Sequence, residues 1–135
     1  MRVVADSHSL LYYLFTPDQL SDRALDALGT AEDTEGIVVS AATLGDLWYS
    51  SQKIGKRALT PGAFESLRDT VLDPESRFEV AALDAETMAH LQSFPLADLP
   101  DPWDRLIVST AAQYGLPLVT KDRAITAVGV VEVLW

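Results

Sequence analysis

The sequence predicts an α/β fold, a mainly parallel sheet of four to five strands covered by helices on both faces. Two observations carry this. Short apolar runs rich in Val, Ile and Leu alternate along the chain with helical patterns, so successive strands need crossover connections. Those runs ("RVVA", "GIVVS", "LPLVT") are continuously apolar, as strands buried on both faces are. The 135 residues, 48% of them hydrophobic, suffice for one compact domain over 1–135 with its own core.

The first run, "RVVA" at 2–5, reads as a buried strand. "SLLYYLF" at 9–15 begins a helix that "TPD" ends. "SDRALDALGTA" is a second helix, with Ser21 as its cap and Leu25 and Leu28 on one face. "GIVVS" is the second strand. "SAATLGDLWYSSQKIG" follows as a helix capped by Ser40 and stopped near Gly55. "TPGAFESLRDTVL" opens with a Thr cap and Pro at the first helical position. "FEVAAL" is the third strand, and "DAETMAHLQSF" a helix capped by Asp84. "DPWDRLIVSTAAQYG" is a helix with Gly115 as its stop. "LPLVT" is the fourth strand and "GVVEVLW" a fifth.

Bulk properties narrow the function. Cysteine is absent, which excludes a disulfide scaffold and a thiolate metal site. No apolar run approaches the ~20 residues of a membrane span. The opening "MRVVADSHSLLYYLF" lacks the pattern of a signal peptide, and a cytoplasmic location is expected. Twenty acids against ten bases give a formal charge of −10. That balance argues against a basic nucleic-acid-binding face and for cations or a basic partner protein.

The acids are not scattered evenly. In parallel sheets, ligands bind beyond the carboxyl ends of the strands. Asp6 directly follows the first strand, and Asp122 lies just past the fourth. If those strands are neighbours, the two carboxylates share a crevice; each alone reads rather as a turn or cap residue. "DPWD" is a good helix start, with Asp101 as cap and Asp104 at the capping-box position. Yet Asp104 lies on the stripe of Ile107, Val108 and Ala111, which should face the sheet. Asp101 points the other way, towards Arg105 and solvent. Asp46 falls at the border of the apolar face of its helix, and taken alone reads as a solvated acid.

Two carboxylates 4 Å apart repel by roughly 4 kcal/mol at an effective dielectric of ~20. A shared pocket therefore requires protonation or a cation. Oxygen donors without His or Cys suit Mg²⁺ or Mn²⁺. Metal-assisted attack on a phosphodiester is the chemistry that such a site serves.

With these residues in place, the chain resembles PIN-domain ribonucleases, specifically the VapC toxin subunits of VapBC toxin–antitoxin systems. The matching stretches are "VVADSHSLLYYL", "VVSAATLGDLWYSSQKIGK", "DPWDRLIVSTAAQYGLPLVTKDRAI" and "VVEVLW", in the family's order and across essentially the whole chain. The resemblance implies a three-layer PIN-like fold. It implies Mg²⁺- or Mn²⁺-dependent endonucleolytic cleavage of RNA that leaves a 3′-hydroxyl and a 5′-phosphate. It also implies a homodimer and a VapB-type antitoxin bound across the site. Carried over by position, Asp6, Asp46, Asp104 and Asp122 form the catalytic cluster, with Asp6, Asp104 and Asp122 on the metal. Asp101 matches an additional acid, Thr120 and Ser7 assist as hydroxyl partners, and His8 matches a common family residue. Asp46 departs from the usual Glu. It is one methylene shorter, so it needs a bridging water or a closer backbone to reach metal.

Three further expectations concern the surroundings. Arg105, Lys121 and Arg123 stand beside the acids in sequence and are candidates to meet RNA phosphates; Lys53, Lys56 and Arg57 form a second basic group. "LLYYLF" at 10–15 is apolar around its circumference, which fits either burial between helices or a partner surface that Trp48 and Tyr49 join. Other functions fit less well. An aspartyl-phosphate phosphatase needs an acid where His8 stands. A receiver domain would use Asp84, and the remaining acids do not fit it. A PIN fold that has lost catalysis and serves as a binding module rests only on the shortened Asp46.

Overall fold

A computed structural model describes residues 1–55 and 59–135. Five strands form one sheet: β1 (Val3–Ala5), β2 (Ile37–Ser40), β3 (Phe78–Ala81), β4 (Leu118–Val119) and β5 (Val133–Leu134). Their order is β3-β2-β1-β4-β5 and every pairing is parallel. Val3 pairs with Ile37, and Val4 with both Val38 and Leu118. The chain builds outward from β1 in one direction through β2 and β3. It then returns to the other side of β1 for β4 and β5. The switch point therefore lies between β1 and β4, where Asp6 and Asp122 end their strands.

Successive strand residues face opposite layers, and two cores result. Val3, Ala5, Ile37, Val39 and Val119 point into one. That core also takes in α1 (Ser7–Phe15), α2 (Asp22–Asp33) and α4 (Pro61–Leu72). Val4, Val38 and Leu118 point into the other, against α6 (Pro102–Tyr114) and α7 (Arg123–Val128). Helix α3 (Ala41–Gln52) sends Leu47 to the first core and Ala42 to the second. It thus spans the rim of the sheet, close to the strand ends.

Most element boundaries follow from the caps that the sequence displays. Ser21, Ser40, Thr60 and Asp84 each accept a hydrogen bond from the first turn of their helix. Gly115 ends α6 at φ 63°, a left-handed conformation that glycine adopts without penalty.

Several details differ from expectation. Helix α2 buries Ala24, Leu28 and Ala31, while Leu25 is 41% exposed; the inward stripe follows the small residues beside Leu28. The helix at 84–94 divides into α5 (Ala85–Ala89) and a 3₁₀ turn, His90–Ser93. Helix α3 ends at Gln52, short of Gly55. Helix α7 lies beyond the elements that the apolar pattern marks. The apolar circumference of α1 is mainly a consequence of burial. Leu10 and Leu11 are buried and Tyr12, Tyr13 and Leu14 partly so, leaving Phe15 exposed at 44%.

Candidate active site

The five acids come from four places in the chain, and the fold carries them to one end of the sheet. Asp6 follows β1 and is buried. Its backbone N–H donates to the Val119 carbonyl of β4 at 3.3 Å, which joins the two strand ends. Its carboxylate caps α1, accepting from the Ser9 N–H at 2.9 Å. Thr120, wholly buried, links Asp6 to Asp122. Its hydroxyl favours the charged form of the Asp6 carboxylate, and its Oγ1 accepts from the Asp122 N–H at 3.0 Å. Asp122 in turn caps α7, accepting from Ala124 and Ile125 at 2.8 and 3.1 Å.

Asp101 caps α6 through the Asp104 N–H at 3.0 Å. Asp104 has no capping role. Its side chain is half-buried one turn before Ile107 and Val108, which are buried on the sheet. Asp46 projects from α3 and accepts from Ser7 Oγ at 2.6 Å. Ser7 is therefore placed between the first strand end and the α3 acid. Asp46 is partly buried rather than a solvated surface acid.

The electrostatics single out Asp104. Burial pushes its carboxyl up to about 7, and the charges of Asp101, Asp122, Asp46 and Asp6 add to the rise. Asp6 is also raised, chiefly by burial, against hydrogen bonds from Thr120 and Ser9 that favour its charged form. His8 acts in the same direction on Asp6 through its charge, but no ion pair reaches the five acids among the described residues. The ion pairs there join Met1 to Glu35, Arg2 to Glu79 and Arg68 to Asp69.

Among the described residues, no three His, Asp or Glu side chains are gathered tightly enough to ligate one ion together. The carboxylates of Asp6 and Asp122 are held on helix ends, and that of Asp46 on Ser7. The donor chemistry nevertheless fits a hard divalent cation. All donors are oxygen, and burial together with four neighbouring acids holds the Asp104 carboxyl above its ordinary range. Magnesium in particular retains several waters, so carboxylates need not all reach it directly.

Among the basic residues, Arg105 departs from expectation. Arg105 is not a phosphate contact. It is buried at 8% exposure, and its guanidinium donates to the carbonyls of Leu91, Phe94, Pro95 and Leu99 while lying 4.2 Å from the Phe94 ring centroid. It also does not face Asp101. One residue along a helix turns the side chain by about 100°. That rotation carries Arg105 off the face that bears Asp104 and into the 91–99 loop. Sequence reasoning missed this role; the flanking run "LQSFPLADLP", poor in regular structure, was the available sign that carbonyls there need donors. Lys121 is exposed and donates to Tyr12 Oη at 2.8 Å. Arg123 is exposed at the start of α7. Lys53 is exposed just beyond α3, whereas Lys56 and Arg57 lie outside the described residues.

His8, also exposed, borders a groove of about 490 Å³ lined mainly by apolar atoms of Leu11, Tyr12, Phe15, Leu59 and Ala63. Trp48 and Tyr49 form a second exposed aromatic patch, at 45% and 57% exposure.

Comparison with known proteins agrees with this architecture. The family model of the PIN domain matches residues 3–131. A curated relative, Ribonuclease VapC22 of Mycobacterium tuberculosis, is 30% identical over 126 residues, covering 90% of this chain and 87% of its own. In fold, the chain is similar to one in the crystal structure of VapBC2 from Rickettsia felis bound to a promoter DNA fragment. The TM-score is 0.71 at 19% identity, with 98% and 97% of the two chains covered. It is similar also to one in DNA-bound VapBC from Salmonella typhimurium, at a TM-score of 0.71 and 18% identity, with 98% and 96% covered. The parallel five-stranded sheet, the acids at its strand ends and a match along nearly the whole sequence lead to one assignment: this chain belongs to the PIN-domain family and is a VapC-type member of it.

Proposed function

We propose that the chain, read as one PIN domain over residues 1–135, is a Mg²⁺- or Mn²⁺-dependent endoribonuclease. In this reading it is the toxin of a type II toxin–antitoxin pair, works in the cytoplasm and is restrained by a VapB-type antitoxin. The observation that carries the reading is the Asp104 carboxyl, half-buried at the switch point among four other acids that no ion pair reaches among the described residues. The name of the VapC22 relative and the family assignment point the same way.

Asp6, Asp104 and Asp122 are the residues that would hold the ion, directly or through water. Asp46 stands nearby on its Ser7 hydrogen bond. The ion, when bound, supplies Lewis-acid polarisation of the scissile phosphate and a water acidic enough to ionise near neutral pH. The protein contributes placement. Thr120 fixes the Asp6 and Asp122 ends of two adjacent strands relative to each other. Helix α6 brings Asp104 to them from the neighbouring layer. Lys121 and Arg123, exposed on either side of Asp122 in the chain, are the candidates to meet phosphates of the RNA. In-line hydrolysis then leaves a 3′-hydroxyl and a 5′-phosphate.

The apolar groove beside His8 is a suitable seat for an antitoxin segment, and the acids beyond it would attract a basic residue on that segment. Trp48 and Tyr49 are the exposed aromatics best placed to join a second copy in a homodimer.

The direct test uses purified chain and a fluorescent single-stranded RNA. Cleavage is expected with Mn²⁺ or Mg²⁺, is abolished by EDTA, and is absent in Asp104→Asn. Cleavage by Asp104→Asn at the wild-type rate would remove the cluster from the reaction.

A further inference from the structure

Asp46 is a short acid on a helix that has to approach α6 closely for its carboxylate to join those of Asp104 and Asp6. The structure contains a device that permits the approach. Gly45, the neighbour of Asp46, packs against the indole of Trp103, the neighbour of Asp104. A Cβ built on Gly45 would stand 2.8 and 2.9 Å from two carbons of that ring, distances at which something must shift. The indole has neighbours on its other sides. Trp103 is partly buried against the second core, and its ring lies 5.7 Å from that of Tyr49. Further along the same two helices, Thr110 Oγ1 of α6 lies 2.9 Å from Ser40 Oγ, the cap of α3. The helices are thus pinned at one point by a buried hydroxyl pair and closed at the other by the missing side chain of Gly45. A methyl group at Gly45 would have to displace the indole or part the two helices, on the side that carries the acids.

We infer that Gly45 is a positioning residue for the acidic cluster: its lack of a side chain, with the Trp103 ring laid against it, sets the α3–α6 spacing that lets an aspartate at position 46 act together with Asp104. This rests on the metal-dependent reading above. Glycine in a helix interior is unfavourable by roughly 0.5–1 kcal/mol relative to alanine, so Gly45→Ala is expected to fold. The gap it opens is comparable with one methylene, which Asp46→Glu would restore.

The test measures Mn²⁺ affinity by calorimetry and thermal unfolding without added ion. It compares the wild type, Gly45→Ala, Asp46→Glu and the double variant. Gly45→Ala is expected to weaken Mn²⁺ binding by about tenfold or more, as disturbed supporting residues of metal sites do. The double variant should regain most of that loss, while its unfolding temperature stays that of Gly45→Ala. Asp46→Glu alone should gain no affinity. Wild-type affinity in Gly45→Ala, or a double variant that binds no better than Gly45→Ala, overturns the positioning role and leaves the metal site standing. A wild type that binds no Mn²⁺ overturns the metal site and this inference together.

Discussion

Asp104 is the residue on which the proposed chemistry turns, and its ionisation gives a prediction with a definite sign. Its carboxyl is raised to about 7 in the folded chain, against about 3.9 in an unfolded one. Between those values the folded state binds more protons than the unfolded state, so this group lowers stability as pH rises from about 4 to about 7. Asp104→Asn removes the titration. Measured by denaturant unfolding in EDTA, the variant should gain on the wild type as pH increases through that window. The difference should level off above pH ~7 and shrink towards zero below pH ~4. A divalent ion should reverse the order, because it stabilises only the chain that binds it.

Arg105 yields a prediction of a different kind. It is a buried charge satisfied by four carbonyls, with no acid partner. Arg105→Ala leaves those carbonyls without their donor and should destabilise the protein by about 3 kcal/mol, read as a shift in the denaturant midpoint. Arg105→Ala should leave the affinity of the remaining folded protein for Mn²⁺ unchanged.

At the scale of elements, the helix ends do double duty. Asp6, Asp101 and Asp122 each hold an N-terminal N–H of a helix as well as belonging to the acidic group. Capping and metal binding can be separated at Asp122. Asparagine caps as well as aspartate does, so Asp122→Asn should keep the thermal midpoint while weakening Mn²⁺ binding. Asp122→Ala should lose both, with about 1 kcal/mol of stability gone. Equal stability losses in the two variants would show that the carboxylate charge, not the cap, supports α7.

The same scale shows what was legible beforehand. Strand order was not readable, but the rule that sites lie at strand carboxyl ends brought Asp6 and Asp122 into view, and the pairing of β1 with β4 joins their strand ends. Asp104 was found because helical periodicity put it on a buried stripe. Helix α7 was not found, since its six residues bury only Ile125 fully, with Val128 packed partly against the core. Arg105 was misread because adjacency in sequence says nothing about which face of a helix a side chain takes. Leu25 was misread because the alanines beside Leu28, not a second leucine, let α2 lie against its neighbours.

For the whole molecule, the charge of −10 constrains the proposed binding of RNA. With Arg105 withdrawn into the interior, Lys121 and Arg123 are the cations left beside the cluster among the described residues. Few phosphate contacts mean a shallow salt dependence. Filter-binding with EDTA present should show weak affinity for generic RNA, and Mn²⁺ should strengthen it by bridging acid and phosphate. Saturating ion should also raise folding stability by about 2.7 kcal/mol at a concentration 100 times its dissociation constant. Tight binding of generic RNA in EDTA would mean that the acids are not what the strand meets.

The guanidinium locked among the carbonyls of the 91–99 loop has a consequence for genetics. In a selection for cells that survive expression of this chain, changes at Arg105 should be recovered alongside changes at the acids. The two groups would survive for unlike reasons. Acid variants would accumulate as inert protein, whereas Arg105 variants would be cleared by proteases as the unfolded fraction grows. An immunoblot of the survivors would sort one class from the other.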